Sequence, residues 1–88
     1  MRQEIINLFK LNQKNNRIVF TPEIKVSRSR DTLYLYEIYA VQLTHAPTSY
    51  HVILEMGTGE KMTMALWLLD ENSLNEIYKR LQGEKMPA

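Results

Sequence analysis

The spacing of apolar and polar positions divides the chain into two helical ends around a strand-rich middle. Over residues 3–13, Ile5, Ile6, Leu8 and Phe9 fall within one arc of a helix, while Glu4, Asn7 and Lys10 lie largely outside it. Asn12, Asn15 and Asn16 follow, residue types that tolerate left-handed backbone and end helices. From Arg17 the period shortens to that of a strand. Residues 17–20 and 23–26 are β-prone runs joined by Thr21-Pro22, and because proline cannot donate to a ladder they predict an edge strand or two short strands meeting at a bend.

Ser27 to Asp31 is a polar connection, and residues 32–44 form the longest β-prone run in the chain. A loop over 45–49 leads to a strand predicted over 50–56. Gly57-Thr58-Gly59-Glu60 then reads as a tight hairpin connection. Residues 61–68 complete the sheet by alternation, with Met62, Met64 and Leu66 on one face and Thr63, Ala65 and Trp67 on the other. The same run is also compatible with an extension of the last helix; the flanking glycines favour a strand.

Leu74, Ile77, Tyr78 and Leu81 then recur at the spacing of one helical stripe. Ser73 with Glu76 three residues later forms a capping-box pattern, and Gly83 supplies the stop. The expectation is a single α+β domain over residues 1–83, with 84–88 as a flexible tail. Its order is α-β-β-β-β-α, a four-stranded antiparallel meander between an N-terminal and a C-terminal helix.

Alternation through the second strand does not sort into an apolar and a polar face. Leu33, Leu35, Glu37, Tyr39, Val41 and Leu43 share one side, and Tyr34, Tyr36, Ile38, Ala40 and Gln42 the other. A sheet covered on one face should carry polar residues on its second face. Three arrangements account for the anomaly: a bulge near Glu37 that shifts the register, terminal helices that cover opposite faces, or a second face that contacts a partner. The third leads, because four of the chain's five tyrosines, Tyr34, Tyr36, Tyr39 and Tyr50, fall on the two central strands and tyrosine is enriched at interfaces. Cross-strand tyrosines also stabilise ordinary sheets. The candidate interface is Tyr34, Tyr36, Ile38 and Tyr39.

Composition narrows the function further. Eighty-eight residues, 44% hydrophobic and 24% charged, suit one globular domain. The lack of cysteine excludes disulfide and thiolate chemistry. The first ten residues lack the uninterrupted apolar run of about 7–15 residues that a secretory leader needs, and no run approaches the roughly 20 of a membrane span. A cytoplasmic protein without membrane contact is therefore expected.

The net charge of +1 conceals an asymmetry. Residues 1–30 carry seven bases against two acids, and residues 31–88 carry four against eight.

Chemical motifs do not emerge. His45 and His51 lie six apart, and Glu55, the nearest acid in sequence, does not complete a ligand set with them. Gly57 to Lys61 lacks phosphate-loop spacing, and no serine sits in a nucleophile elbow. No catalysis, cofactor or metal is expected. The expected function is a protein-interaction module, homodimeric through the sheet face or the edge strand. The alternative is nucleic-acid binding by the basic segment 10–30 beside the strand tyrosines, with Lys25, Arg28 and Arg30 as contacts.

Overall fold

The apolar arc of the first helix has to be buried, and the sheet is the surface that receives it. In this computed structural model, which describes residues 2–11, 17–45 and 47–83, helix α1 spans Arg2–Leu11 and buries Ile5, Ile6 and Phe9. Strands β1 (Arg17–Ser27), β2 (Leu35–His45), β3 (Tyr50–Met56) and β4 (Lys61–Ala65) follow, and helix α2 (Glu71–Gly83) closes the order. The sheet is antiparallel throughout, in the sequential order β1-β2-β3-β4. The α-β-β-β-β-α meander expected from the pattern is therefore the fold. The asparagines that follow the first helix and the tail at 84–88 lie outside the described residues.

Both helices cover the same face. α1 and α2 touch each other, and their buried side chains join one core with Phe20, Ile24, Val26, Ile38, Val41, Leu43, Val52 and Leu54. The ladder registers sort the rungs of the sheet: Leu43, Val52 and Met64 point inward together, as do Ile18, Val41, Leu54 and Met62.

The two-sided pattern of β2 has a local cause. Ile38 pairs with Met56 and Ala40 with Glu55, so Tyr39 is an extra residue on β2. This bulge lets Ile38 and Val41, three positions apart, both enter the core. The expectation that Ile38 belongs to an interface is overturned. It faces the helices and is 0% exposed. Tyr36 is half-buried against the same core, and Tyr39 stands exposed on the far face. The helices do not cover opposite faces, and the bulge accounts for the placing of Ile38, Tyr39 and Val41.

β1 shows a larger irregularity at the same level. Val19 pairs with Ala40 and Ile24 with Ile38, so four residues around the cis Thr21-Pro22 bond bow out of the ladder. The bend anticipated at Pro22 is present inside a single strand, and Arg80 of α2 donates to the Pro22 carbonyl across 2.9 Å.

At the other end of the sheet the regular alternation stops early. β4 ends at Ala65, and Leu66–Leu68 form one 3-10 turn, an outcome between the strand and helix alternatives. Leu66 is buried and Trp67 exposed, as the alternation placed them.

The chain then returns to the end of β1. Arg28 bridges Leu69, the Ser29 amide donates to the Leu68 carbonyl, and the Asp70 amide donates to Ser27. The helix cap also differs from expectation. α2 begins at Glu71, one turn before the predicted box, with Asp70 accepting from the Ser73 amide at 2.8 Å. The Ser73 hydroxyl is engaged elsewhere, accepting the Ser27 amide at 2.7 Å. The Ser27 hydroxyl in turn donates to the second Asp70 oxygen.

Burial opposes ionisation of Asp70, but the hydrogen bonds from Ser27 and Ser73 outweigh it and hold the carboxyl below its ordinary 3.8.

Two outcomes are expected. Ile38→Ala should lose about 2–5 kcal/mol in urea unfolding, and Leu35→Ala less than about 0.5 kcal/mol. Asp70→Ala should cost about 0.5–2 kcal/mol at neutral pH. Because the folded carboxyl has the lowered pKa, that stabilisation is complete above pH 3.8 and disappears as pH falls below it. Urea melts of wild type and Asp70→Ala should therefore converge in strong acid, and a gap that widened there would contradict the assignment.

Candidate surface at the tip of the β1–β2 hairpin

The stitching of β1 to residues 68–70 sets where the next segment emerges. Residues 28–34 connect β1 to β2 and pass beside Trp67 of the 3-10 turn. Asp31 takes positive φ there, a conformation aspartate tolerates better than most residues. The Arg30 guanidinium lies 4.4 Å over the Trp67 ring, and that of Arg28 lies 5.5 Å over Tyr34. Tyr34 and Tyr36 rings are 6.3 Å apart and tilted. Leu33 is 71% exposed, Leu35 64%, Trp67 47% and Tyr34 46%. Three consecutive large side chains are thus left in water, with one arginine over Tyr34 and a second over the exposed tryptophan.

An acidic notch lies next to this surface. Ile38 is the first β2 residue paired with β3, so Leu35, Tyr36 and Glu37 run past the end of that strand. They line a cavity of about 410 Å³ with Glu23, Met56, Gly57, Thr58 and Glu60. The Glu23 carboxylate occupies the space that a Cβ at Gly57 would need. Gly59 turns the β3–β4 hairpin with a φ of 97°. Three carboxylates and no cation line the notch.

The sequence-derived candidates separate in space. Tyr34 lies at the tip and Tyr36 joins it to the notch, whereas Tyr39 is on the far sheet face and Ile38 is in the core. Arg28 and Arg30 meet at the tip. Lys25 stands opposite Glu37 in the β1–β2 ladder instead. The rest of the basic segment is dispersed: Lys10 lies 5.7 Å over the Tyr50 ring and Arg17 grips Glu55, while Lys14 is outside the described residues.

The uncovered sheet face is not a continuous apolar surface. Arg17 donates two 3.0 Å hydrogen bonds to Glu55 from two strands away. Ala40, the ladder partner of Glu55 and two residues from Gln42, the partner of Arg17, is 0% exposed. Gln42, Thr44, His51 and Thr63 share that face with Val19, Tyr39 and Ile53. The sheet edges are poor templates for addition: β1 is bent at Pro22 and bridged at its end, and β4 has five residues.

Glu55 is committed to Arg17, and His51 Nδ1 lies 3.3 Å from the Ser49 carbonyl oxygen. Among the described residues no three acidic or histidine side chains converge as a metal site, and no helix is long and apolar enough to cross a membrane.

Sequence reasoning did not single out Leu33, Leu35 or Trp67. A signal was available for Trp67, which the alternation of β4 places on the face away from the core. No known family, curated protein or solved structure matches this chain, so the surface is read from its own chemistry.

Trp67 is the chain's single tryptophan and reports directly on the tip. Arg30→Ala should increase acrylamide quenching of its fluorescence, and Arg28→Ala should leave quenching nearly unchanged. Equal quenching in all three proteins would mean that Arg30 does not cover the ring.

Proposed function

We propose that this chain is a non-catalytic protein-interaction module that engages another polypeptide through the hairpin tip. The observation that carries this reading is the exposure of Leu33, Tyr34 and Leu35 in succession, together with that of Trp67 beneath Arg30. Leaving such side chains in water forgoes roughly 1.5–3 kcal/mol for each that could be fully buried. Tryptophan, tyrosine and arginine are also the residue types that dominate interface energetics, and Trp67, Tyr34, Arg28 and Arg30 supply all three here.

Nucleic-acid binding is supported by the same guanidinium–aromatic contacts, since arginines neutralise phosphates and rings stack on bases. It ranks second for two reasons. One face of each ring already carries a guanidinium, and the two exposed leucines have no role on a phosphate backbone.

A photocrosslinking amino acid at Leu33 tests the assignment in cells expressing the chain, with the same group at exposed Thr63 as control. Adducts with polypeptide are expected at Leu33 and not at Thr63. Adducts with nucleic acid, or none at Leu33, would reject the module reading.

A further inference from the structure

Resting on the interaction reading, we infer that the polypeptide bound at the tip is a second copy of this chain, docked about a two-fold axis near Leu35. The argument is charge complementarity across an apolar centre. Before Leu33–Tyr34–Leu35 the chain carries Arg28 and Arg30, which have no carboxylate ion-pair partner among the described residues, and the one acid beside them, Asp31, leaves the tip net positive. At Leu35 and Tyr36 lies the notch with Glu23, Glu37 and Glu60. Tyr34 packs beside Tyr36, which lines the notch, so the basic and acidic regions adjoin without a gap.

A two-fold rotation superposes an interface patch on itself with its ends exchanged. A patch with cations at one end, anions at the other and leucines between them therefore meets its own copy with unlike charges opposed. A patch of uniform charge would meet itself with repulsion.

The shape of the notch agrees. Its cavity of about 410 Å³ has Leu35, Tyr36 and Met56 as apolar lining beneath the carboxylates. An arginine requires that pairing, with apolar contact along its stem and anions at its head. The Arg28–Arg30 segment of one copy would occupy the notch of the other, twice over. Lys25 opposite Glu37 reduces the acidic charge on the outer side and leaves Glu23 and Glu60 as the principal anions.

The decisive experiment is analytical ultracentrifugation of the full chain up to about 0.5 mM, at ionic strengths of about 0.05 and 0.5 M. The expected species is a dimer, twice 10.4 kDa, whose dissociation constant rises at the higher salt. Arg28→Glu with Arg30→Glu, and separately Glu23→Lys with Glu60→Lys, should each weaken dimerisation at least about tenfold. Mixing the two variants should restore a heterodimer, because every reversed charge then meets its opposite. Circular dichroism and thermal melts of each variant establish that the fold is retained.

A monomer at every concentration and salt would overturn the proposal. So would a dimer indifferent to both charge reversals. Crosslinks from Leu33 to a different polypeptide, found together with a monomer, would defeat the two-fold dimer and leave the interaction module standing.

Discussion

The arrangement of this chain depends on a small polar knot between the end of β1 and the start of α2. Ser27 and Ser73 are the buried polar side chains among the described residues, and Ser27 meets Asp70 and Ser73 across 43 and 46 positions of sequence. Buried polar groups destabilise unless satisfied, and here both hydroxyls and both backbone amides find partners. The knot anchors the last helix to the first strand, after the chain has passed through β2, β3 and β4. Arg2 reinforces it from α1, donating to the Trp67 and Leu69 carbonyls at 3.0 Å each and approaching Glu71 at 3.6 Å. With those ends held together, the hairpin connection leaves the fold beside Trp67.

A second constraint is the bulge at Tyr39. A strand with strict alternation would place either Ile38 or Val41 in water. One extra residue moves both into the core and leaves Tyr39 outside. Because the inserted residue shifts parity, the far face after the bulge is built from Ala40, Gln42 and Thr44, with the Arg17–Glu55 pair beside Ala40. That face is mixed, with Val19 and Tyr39 exposed among polar neighbours, while Leu33, Tyr34 and Leu35 are exposed in succession where β2 outruns β3.

That concentration shapes the functional reading. Domains of this size retain much apolar surface, so a single exposed leucine carries no information. Leu33, Tyr34 and Leu35 exposed in succession, with Arg28 over Tyr34, Arg30 over Trp67 and the carboxylate-lined notch at Leu35 and Tyr36, are the features on which the proposed interaction rests. In the proposed complex the apolar side chains would supply affinity and the flanking charges orientation and register. The uneven charge of the two parts of the chain acquires a spatial meaning only in part. Arg28 and Arg30 remain together at the tip, while Arg17 and Lys10 engage Glu55 and Tyr50, and Lys25 stands opposite Glu37 in the ladder.

The order of elements was legible in the residues, because helical and strand periods report on faces that each element must bury by itself. The stripe through Leu74, Ile77, Tyr78 and Leu81, the strand over 50–56 and the inward alternation of Met62, Met64 and Leu66 appear as read. Four features depended on tertiary structure. The bulge at Tyr39 arises from pairing with β3, the cap at Asp70 from the use of Ser73 by Ser27, and the burial of Ile38 from both helices choosing one face. The fourth, the meeting of Arg30 with Trp67, joins residues far apart in sequence through hydrogen bonds at the end of β1. Sequence alone determined which elements form, since periodicity is local. Tertiary structure decided which side chains share a surface, since that depends on register and on partners distant along the chain.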